Sequence, residues 1–241
     1  MKQKRRKESL WEFAHFDLEE FQKIIADYGQ IKERLRCKLV SREMYTDYFT
    51  NGPRLKHPMG EVLLFLEVEK RENAGADCYV NYEMIKKWGR SEQELMSVAL
   101  KNTEKYEKST LRDLDTVLSG YTGEEMSGPR QSKHTMLLLS NEEETYGATA
   151  VLYPGVLKQI REQLGMDYYI LPTSVHEVTI VPKYSFLDPV EIEKMIYQDN
   201  RETIPPAEVL SDHLFEYTEA KGRLERCCVN GKEKTRNEEA R

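Results

Sequence analysis

The chain has 241 residues, a net charge of -6, and 32% charged against 39% hydrophobic residues. That length buries a real core as one large domain or two small ones, and the intermixed charge of both signs argues against a general nucleic-acid binder, which would show a basic domain. Leu, Ile, Val and the aromatics recur in organised runs, unlike a disordered chain, and no window nears the roughly 18 apolar residues of a membrane span.

Residues 1–9 read as a disordered basic lead with five Lys or Arg in its first seven positions. A solvated terminal run is preferred here over a nucleic-acid arm. The charges in "SLWEFAHFDLEEFQ" interrupt any secretory signal. A helix then opens at Asp17, with Glu20 as capping-box partner and Phe16 and Phe21 as staple. Its buried face is Phe21, Ile24, Ile25 and Tyr28, and Gly29 is its stop. Leu35, Cys37 and Leu39 alternate as in a strand, although the composition of residues 30–50 also permits a helix. "TNGPRLKHPMG" reads as a loop, "EVLLFLEVEK" as a buried strand, and "ADCYVNYE" as its hairpin partner.

Ser91, with Glu94 three positions on, caps the next helix, whose apolar face is Leu95, Val98 and Ala99. The charged segment 103–133 reads as a loop or partly helical excursion and is the one place where the domain could subdivide. "TMLLLS" is a strand, "NEEETYG" a turn and "ATAVLY" the return strand. Pro154 opens a helix facing inward through Leu157, Ile160 and Leu164 and stopping at Gly165. "DYYILP" and "SVHEVTIVP" are two strands, or one bent at Pro172. Asp188, Pro189 and Glu191 start a helix with Ile192, Met195 and Ile196 inward, ended by Pro205-Pro206. One short element follows, then a charged tail over 221–241. Hairpins followed by helices, without strict βαβ alternation, define an α+β fold on a mostly antiparallel sheet, with one domain over 10–220.

Catalytic grammar is sparse. His176-Glu177 lacks the second histidine that HExxH requires, since Ile180 stands there. In a strand, Ser174 and His176 share one face and Glu177 takes the other. That spacing places Ser174 and His176 roughly 6–7 Å apart, too far for a direct nucleophile–base hydrogen bond unless the strand bends at Pro172. The preferred reading has Thr173 and Ser174 bonding local backbone and His176 anchoring a loop. No G-x-S-x-G, phosphate loop or dinucleotide motif occurs. The four cysteines, at 37, 78, 227 and 228, form no zinc pattern, so no cofactor or metal is expected. Fourteen tyrosines point to packing edges and interface surface.

Three stretches in order, "WGRSEQELMSVALKNT", "LLLSNEEETYGATAVLYPGVLKQI" and "YYILPTSVHEVTIVP", resemble a bacterial family of unknown function found in gut anaerobes. The resemblance rests on Trp88-Gly89, Glu94-Leu95, Asn102-Thr103, Asn141, Gly147-Ala148 and Pro172 to Glu177, and covers roughly residues 29 to 220. Ser140 and Thr173-Ser174-Val175 depart mildly from the family pattern and keep its hydroxyls. The likeness implies a bacterial cytoplasmic protein and carries no activity. The expectation is therefore a non-enzymatic accessory protein that binds another protein, its oligomeric state open. The alternative is a hydrolase or transferase built on Ser174, His176 and Glu177, or on Asn141 brought near by the fold.

Overall fold

The computed structural model describes residues 23, 25–42, 51–69, 76–122, 136–184 and 186–228. The expected cap at Asp17, the Phe16–Phe21 staple, the basic lead and the end of the tail lie outside them. Ile25 and Ala26 are helical, but the break falls at Asp27, before Gly29. Asp27 Oδ1 accepts from Gly29 N at 2.8 Å and caps a single turn, α1 (Tyr28–Ile31). A local side-chain oxygen thus restarts the helix where a glycine stop is expected.

The strand reading of residues 35–39 holds. β1 (Leu35–Val40) is buried along its whole length and pairs antiparallel with β3 (Gly60–Glu69). β2 (Arg54–His57) emerges inside the expected loop, paired to β3 through a tight turn at Pro58-Met59. Its charged, half-solvated residues carry no apolar alternation, which hides it in sequence. β4 (Ala76–Tyr79) pairs with the far end of β3 as the expected hairpin, but it stops at Tyr79, and the last two residues of the expected strand, Tyr82 and Glu83, open the next helix. These strands form a first sheet in which β1 pairs with β3 alone.

α2 (Tyr82–Trp88) starts at Asn81, which accepts from Met84 N at 3.0 Å, and ends at Gly89 with φ 62. That left-handed conformation suits glycine. Trp88 Nε1 donates to Ile25 O at 2.7 Å and ties the helix back to the start of the fold. α3 (Glu92–Tyr106) begins at Ser91, whose hydroxyl accepts from Glu94 N at 3.2 Å. The Glu94 carboxylate turns to Arg90 instead, so only half of the capping box forms. Leu95 and Ala99 are buried and Val98 partly so, as their spacing requires.

The charged segment after α3 contains structure that its composition conceals, β5 (Ser109–Asp113) and α4 (Leu114–Thr122). β5 is the edge of a second, six-stranded antiparallel sheet. Its order runs β10 (Arg223–Arg226), β9 (Phe215–Thr218), β7 (Tyr168–Leu171), β8 (Val178–Pro182), β6 (Leu137–Asn141), β5. β10 lies where the charged tail is expected, with only Leu224 of its four residues buried. The α+β class with antiparallel sheets follows from this architecture.

"ATAVLY" is not a return strand. Gly147–Leu152 form a 3-10 helix, because β6 is already paired on both sides, with β5 and β8. α5 (Val156–Leu164) buries Ile160 with Leu157 and Leu164 beside it, and stops at Gly165, φ 70. α6 (Pro189–Glu202) starts at Asp188, which accepts from Val190 N at 2.9 Å. Here Met195 does not face inward; it is 61% exposed. The buried stripe is Ile192, Ile196 and Asn200, each four apart. Asn200 replaces Met195 because its amide donates to Ser211 O at 3.0 Å and Asp212 Oδ1 at 2.8 Å.

One apolar cluster joins the sheets, drawing Leu35, Cys37, Leu39 and Leu64 from the first and Leu139, Ile170, Val178 and Ile180 from the second. A smaller one seats Ile192 and Ile196 against Tyr169 and Val181. The open edge of β1 is closed by side chains. Cys37 N donates to Thr103 Oγ1 at 2.9 Å, Leu39 N to Thr149 Oγ1 at 3.0 Å, and Asn102 Nδ2 donates to Leu35 O at 3.1 Å. Thr103 also donates to Ala99 O at 2.8 Å, so one hydroxyl satisfies a helix and a strand. Thr103→Val keeps the shape and removes that acceptor, leaving a buried N–H unpaired. The expected loss is about 1–3 kcal/mol in urea unfolding with an unchanged denaturant slope.

Candidate functional site

The segment between β7 and β8 is a loop, which overturns the strand geometry expected of residues 173–177. Pro172 ends β7, and two local hydrogen bonds shape the turn beyond it. Ser174 N donates to Glu177 O at 3.2 Å, and His176 N donates to Ser174 Oγ at 3.0 Å. A hydroxyl two residues upstream of the amide it accepts from is the local turn chemistry of serine. Ser174 is therefore joined to the main chain of His176, and the two no longer share a strand face.

The loop is held from three sides. Val175 N donates to Glu208 O at 2.8 Å and Ala148 N donates to Val175 O at 3.2 Å. Ser140 Oγ donates to His176 O at 2.8 Å, and Tyr146 N donates to His176 Nδ1 at 3.2 Å. The neutral imidazole thus carries its proton on Nε2, which stands 3.9 Å from Glu208 Oε2. The ring is partly exposed, its side chain at 31%. Glu177 is half-buried; desolvation raises its carboxyl above the ordinary range, and Arg112 opposes the rise.

Asn141, fully buried at the end of β6, accepts from Thr145 N at 3.1 Å and donates to Thr145 O at 2.8 Å. It closes the turn over 142–145. Its amide also lies 3.5 Å from Glu107 Oε2. The turn continues through Tyr146, a non-glycine residue at φ 52, into Gly147. A side chain at 147 would meet Ser140 Oγ at 2.2 Å, His176 O at 2.5 Å and Asn141 N at 2.6 Å. Glycine is required there because β6 and the β7–β8 loop both close on one backbone atom. The fold brings residues 140–141, 146–147 and 174–176 into one knot.

Tyr146 links this knot to a group of buried charges. Its ring lies 5.6 Å from the His176 ring on one side, and Lys38 Nζ lies 4.2 Å from its centroid. Lys38 is ion-paired with Asp77 and sits 4.7 Å from the Phe65 centroid. Arg36, on the same face of β1, contacts Glu67 at 2.6 Å and the Tyr106 ring at 4.5 Å. Arg36 Nε is 3.7 Å from Glu107 Oε1. Burial pushes the Glu107 carboxyl up to about 7, against the pull of Arg36 and Lys38. Tyr153, which donates to Glu107 O at 2.8 Å, is raised by burial too. None of Arg36, Lys38, Glu107 or Tyr146 stands out by motif. The available signal is the alternation of β1, which places two cations on one face of a strand whose other face is core.

Other groups stand apart. His57 Nδ1 accepts from Met59 N at 3.3 Å, and burial lowers this imidazole to about 4. His213 Nδ1 lies 3.2 Å from Glu193 Oε1. A cavity of about 140 Å³ lies between Arg42, Met59, Leu210 and His213. Among the described residues no group of three or more His, Cys, Asp or Glu is placed to hold a metal, and no helix is long and apolar enough to cross a membrane.

The architecture defines an α+β protein of two antiparallel sheets joined by one core. Residues 8–219 match DUF5688, a family of unknown function, and the chain belongs to that family. No curated protein and no solved structure matches it.

Two measurements check this geometry. Gly147→Ala forces main-chain movement and is expected to cost about 3 kcal/mol or more, well above the roughly 1 kcal/mol of an ordinary substitution; a melt within 1 kcal/mol of wild type contradicts the knot. Burial pushes the Cys37 thiol up to about 12. In the folded protein Cys37 is therefore expected to resist alkylation at pH 8, while the exposed Cys228 reacts at once, as read by mass spectrometry.

Proposed function

We propose that this protein is a non-enzymatic accessory protein of the bacterial cytoplasm that works by binding another protein. One observation carries the reading. Where hydroxyl, imidazole and carboxamide converge, they face main chain: Ser140 on His176 O, Ser174 on His176 N, His176 Nδ1 on Tyr146 N and Asn141 on Thr145. A nucleophile needs its base within hydrogen-bond reach, oriented by a third group. This arrangement instead makes the segments that carry the family resemblance architectural.

The surface supplies what the knot does not. Met195 and Tyr197 on α6 are 61% and 53% exposed, and Arg201 lies 3.6 Å from the Tyr197 centroid. Tyr197 and Arg201, four apart, share one face of α6 while Met195 lies on the other flank of the buried stripe, and a tyrosine with an adjoining arginine is the composition of interface anchors. The arginine is already held by a bidentate pair with Asp212 at 2.8 Å, so little side-chain freedom remains to be lost on binding.

The alternative, a hydrolase or transferase using Ser174, His176 and Glu177, draws on the part-exposed imidazole and the raised carboxyl of Glu177. Neither reading calls for a cofactor or a metal. A serine-directed fluorophosphonate separates the two. The binding reading expects no adduct on Ser174, and a stoichiometric adduct that His176→Ala abolishes sinks it. Affinity capture from the native host tests the surface. Tyr197→Glu is expected to weaken retention of the partner by about tenfold or more, with the melting profile unchanged. Undiminished retention removes α6 from the interface.

A further inference from the structure

Among the described residues, the close ion pairs around Glu107 do not balance in charge. Two cations, Arg36 and Lys38, reach this seam from β1. Each already has a close carboxylate, Glu67 of β3 at 2.6 Å for Arg36 and Asp77 of β4 for Lys38. Glu107 comes third. Its oxygens stand 3.7 Å from Arg36 Nε and 3.5 Å from the Asn141 amide, and its side chain is only 18% exposed. Glu143, from the turn after β6, adds a further negative neighbour. Among the described residues, Glu104 of α3, the Tyr153 phenol and the Cys37 thiol also face this point, and these three add no positive charge.

Glu107 is also where the two sheets meet. Its main chain takes Thr103 O through its N–H at 2.8 Å and Tyr153 OH on its carbonyl at 2.8 Å. Its carboxyl faces β1 of the first sheet and β6 of the second. We infer that the joint between the sheets is a proton-operated latch, with the proton carried by Glu107. With the proton present, Arg36 and Lys38 match Glu67 and Asp77 one to one. When it leaves, one uncompensated negative charge stays in a half-dry seam beside Asp77 and Glu143, and the seam loosens.

The direction of the pH effect is set by burial, which holds the Glu107 carboxyl at about 7, above its ordinary 4.5. A raised carboxyl contributes fully below its unfolded value, and the contribution is lost as pH rises through the folded one. The Glu107 contribution therefore falls between about pH 5 and pH 8. This is independent of whether the surface of α6 binds a partner.

Carbon-13 NMR of glutamate-labelled full-length protein tests the latch, with the Glu107 carboxyl assigned by Glu107→Gln. The expected midpoint lies close to the value that burial imposes; a midpoint in the ordinary carboxylate range overturns the proposal. The urea stability of wild type relative to Glu107→Gln is expected to drop from about pH 5.5 to about pH 8, a difference that cancels the contributions of His57 and Glu177, which burial also shifts. The same profile in both proteins overturns it. Asp77→Asn releases Lys38 toward Glu107 and is expected to lower the Glu107 midpoint by about one pH unit. An unmoved midpoint refutes the charge count. If Glu107→Gln does not fold, the Asp77→Asn spectrum, in which one glutamate carboxyl moves against wild type, supplies the assignment and the decision.

Discussion

The hydrogen bonds that close the outer edge of β1 are what the rest of the structure depends on. A strand at the end of a sheet leaves alternate amides and carbonyls unpaired, and in a buried strand each costs as much as a lost hydrogen bond. β1 is buried along its length and pairs with one strand only. Thr103 of α3 and Thr149 of the 3-10 segment take two of its amides, and Asn102 reaches one of its carbonyls. These bonds fix α3 and the 3-10 segment against the first sheet. The 3-10 segment also closes over the end of β6, so the second sheet is positioned by the same contacts.

That constraint explains the company the polar residues keep. Gly147 has no room for a side chain because Ser140, Asn141 and His176 must all reach the turn that delivers Thr149. Ser174 and His176 shape the loop that receives Ala148. The side chains of Ser140, Asn141, Ser174 and His176 all bond main chain around this one short helix. The unusual electrostatics lie one layer away, on the charged face of β1. There Arg36 and Lys38 are buried on aromatic rings, and Glu107 is left with the weakest pairing.

Legibility followed the physical scale of each signal. Helices with a capping side chain and an apolar stripe were plain, as Ser91 with Leu95 and Ala99 or Asp188 with Ile192 and Ile196 show, since those contacts lie within a few residues. Buried strands were plain for the same reason. β2, β5 and β10 were hidden because an edge strand is stabilised by its partner rather than by its own alternation. Met195 was misplaced because Asn200, a polar residue, completes the buried stripe of α6 through partners eleven and twelve residues away.

By itself the sequence determined the α+β class, the helix starts at Ser91 and Asp188, the stop at Gly165, the alternation of β1, and the bend at Pro172 with its local hydroxyl bonding. All of these rest on short-range backbone preference and on the periodicity of apolar side chains. Only the tertiary structure decided that "ATAVLY" turns into a 3-10 helix, that His176 faces Tyr146 and Glu208, and that Glu107 meets Arg36 at the joint of the sheets. Those outcomes depend on which strand edges are already occupied and which charges already have partners, and both are settled between residues far apart in the chain.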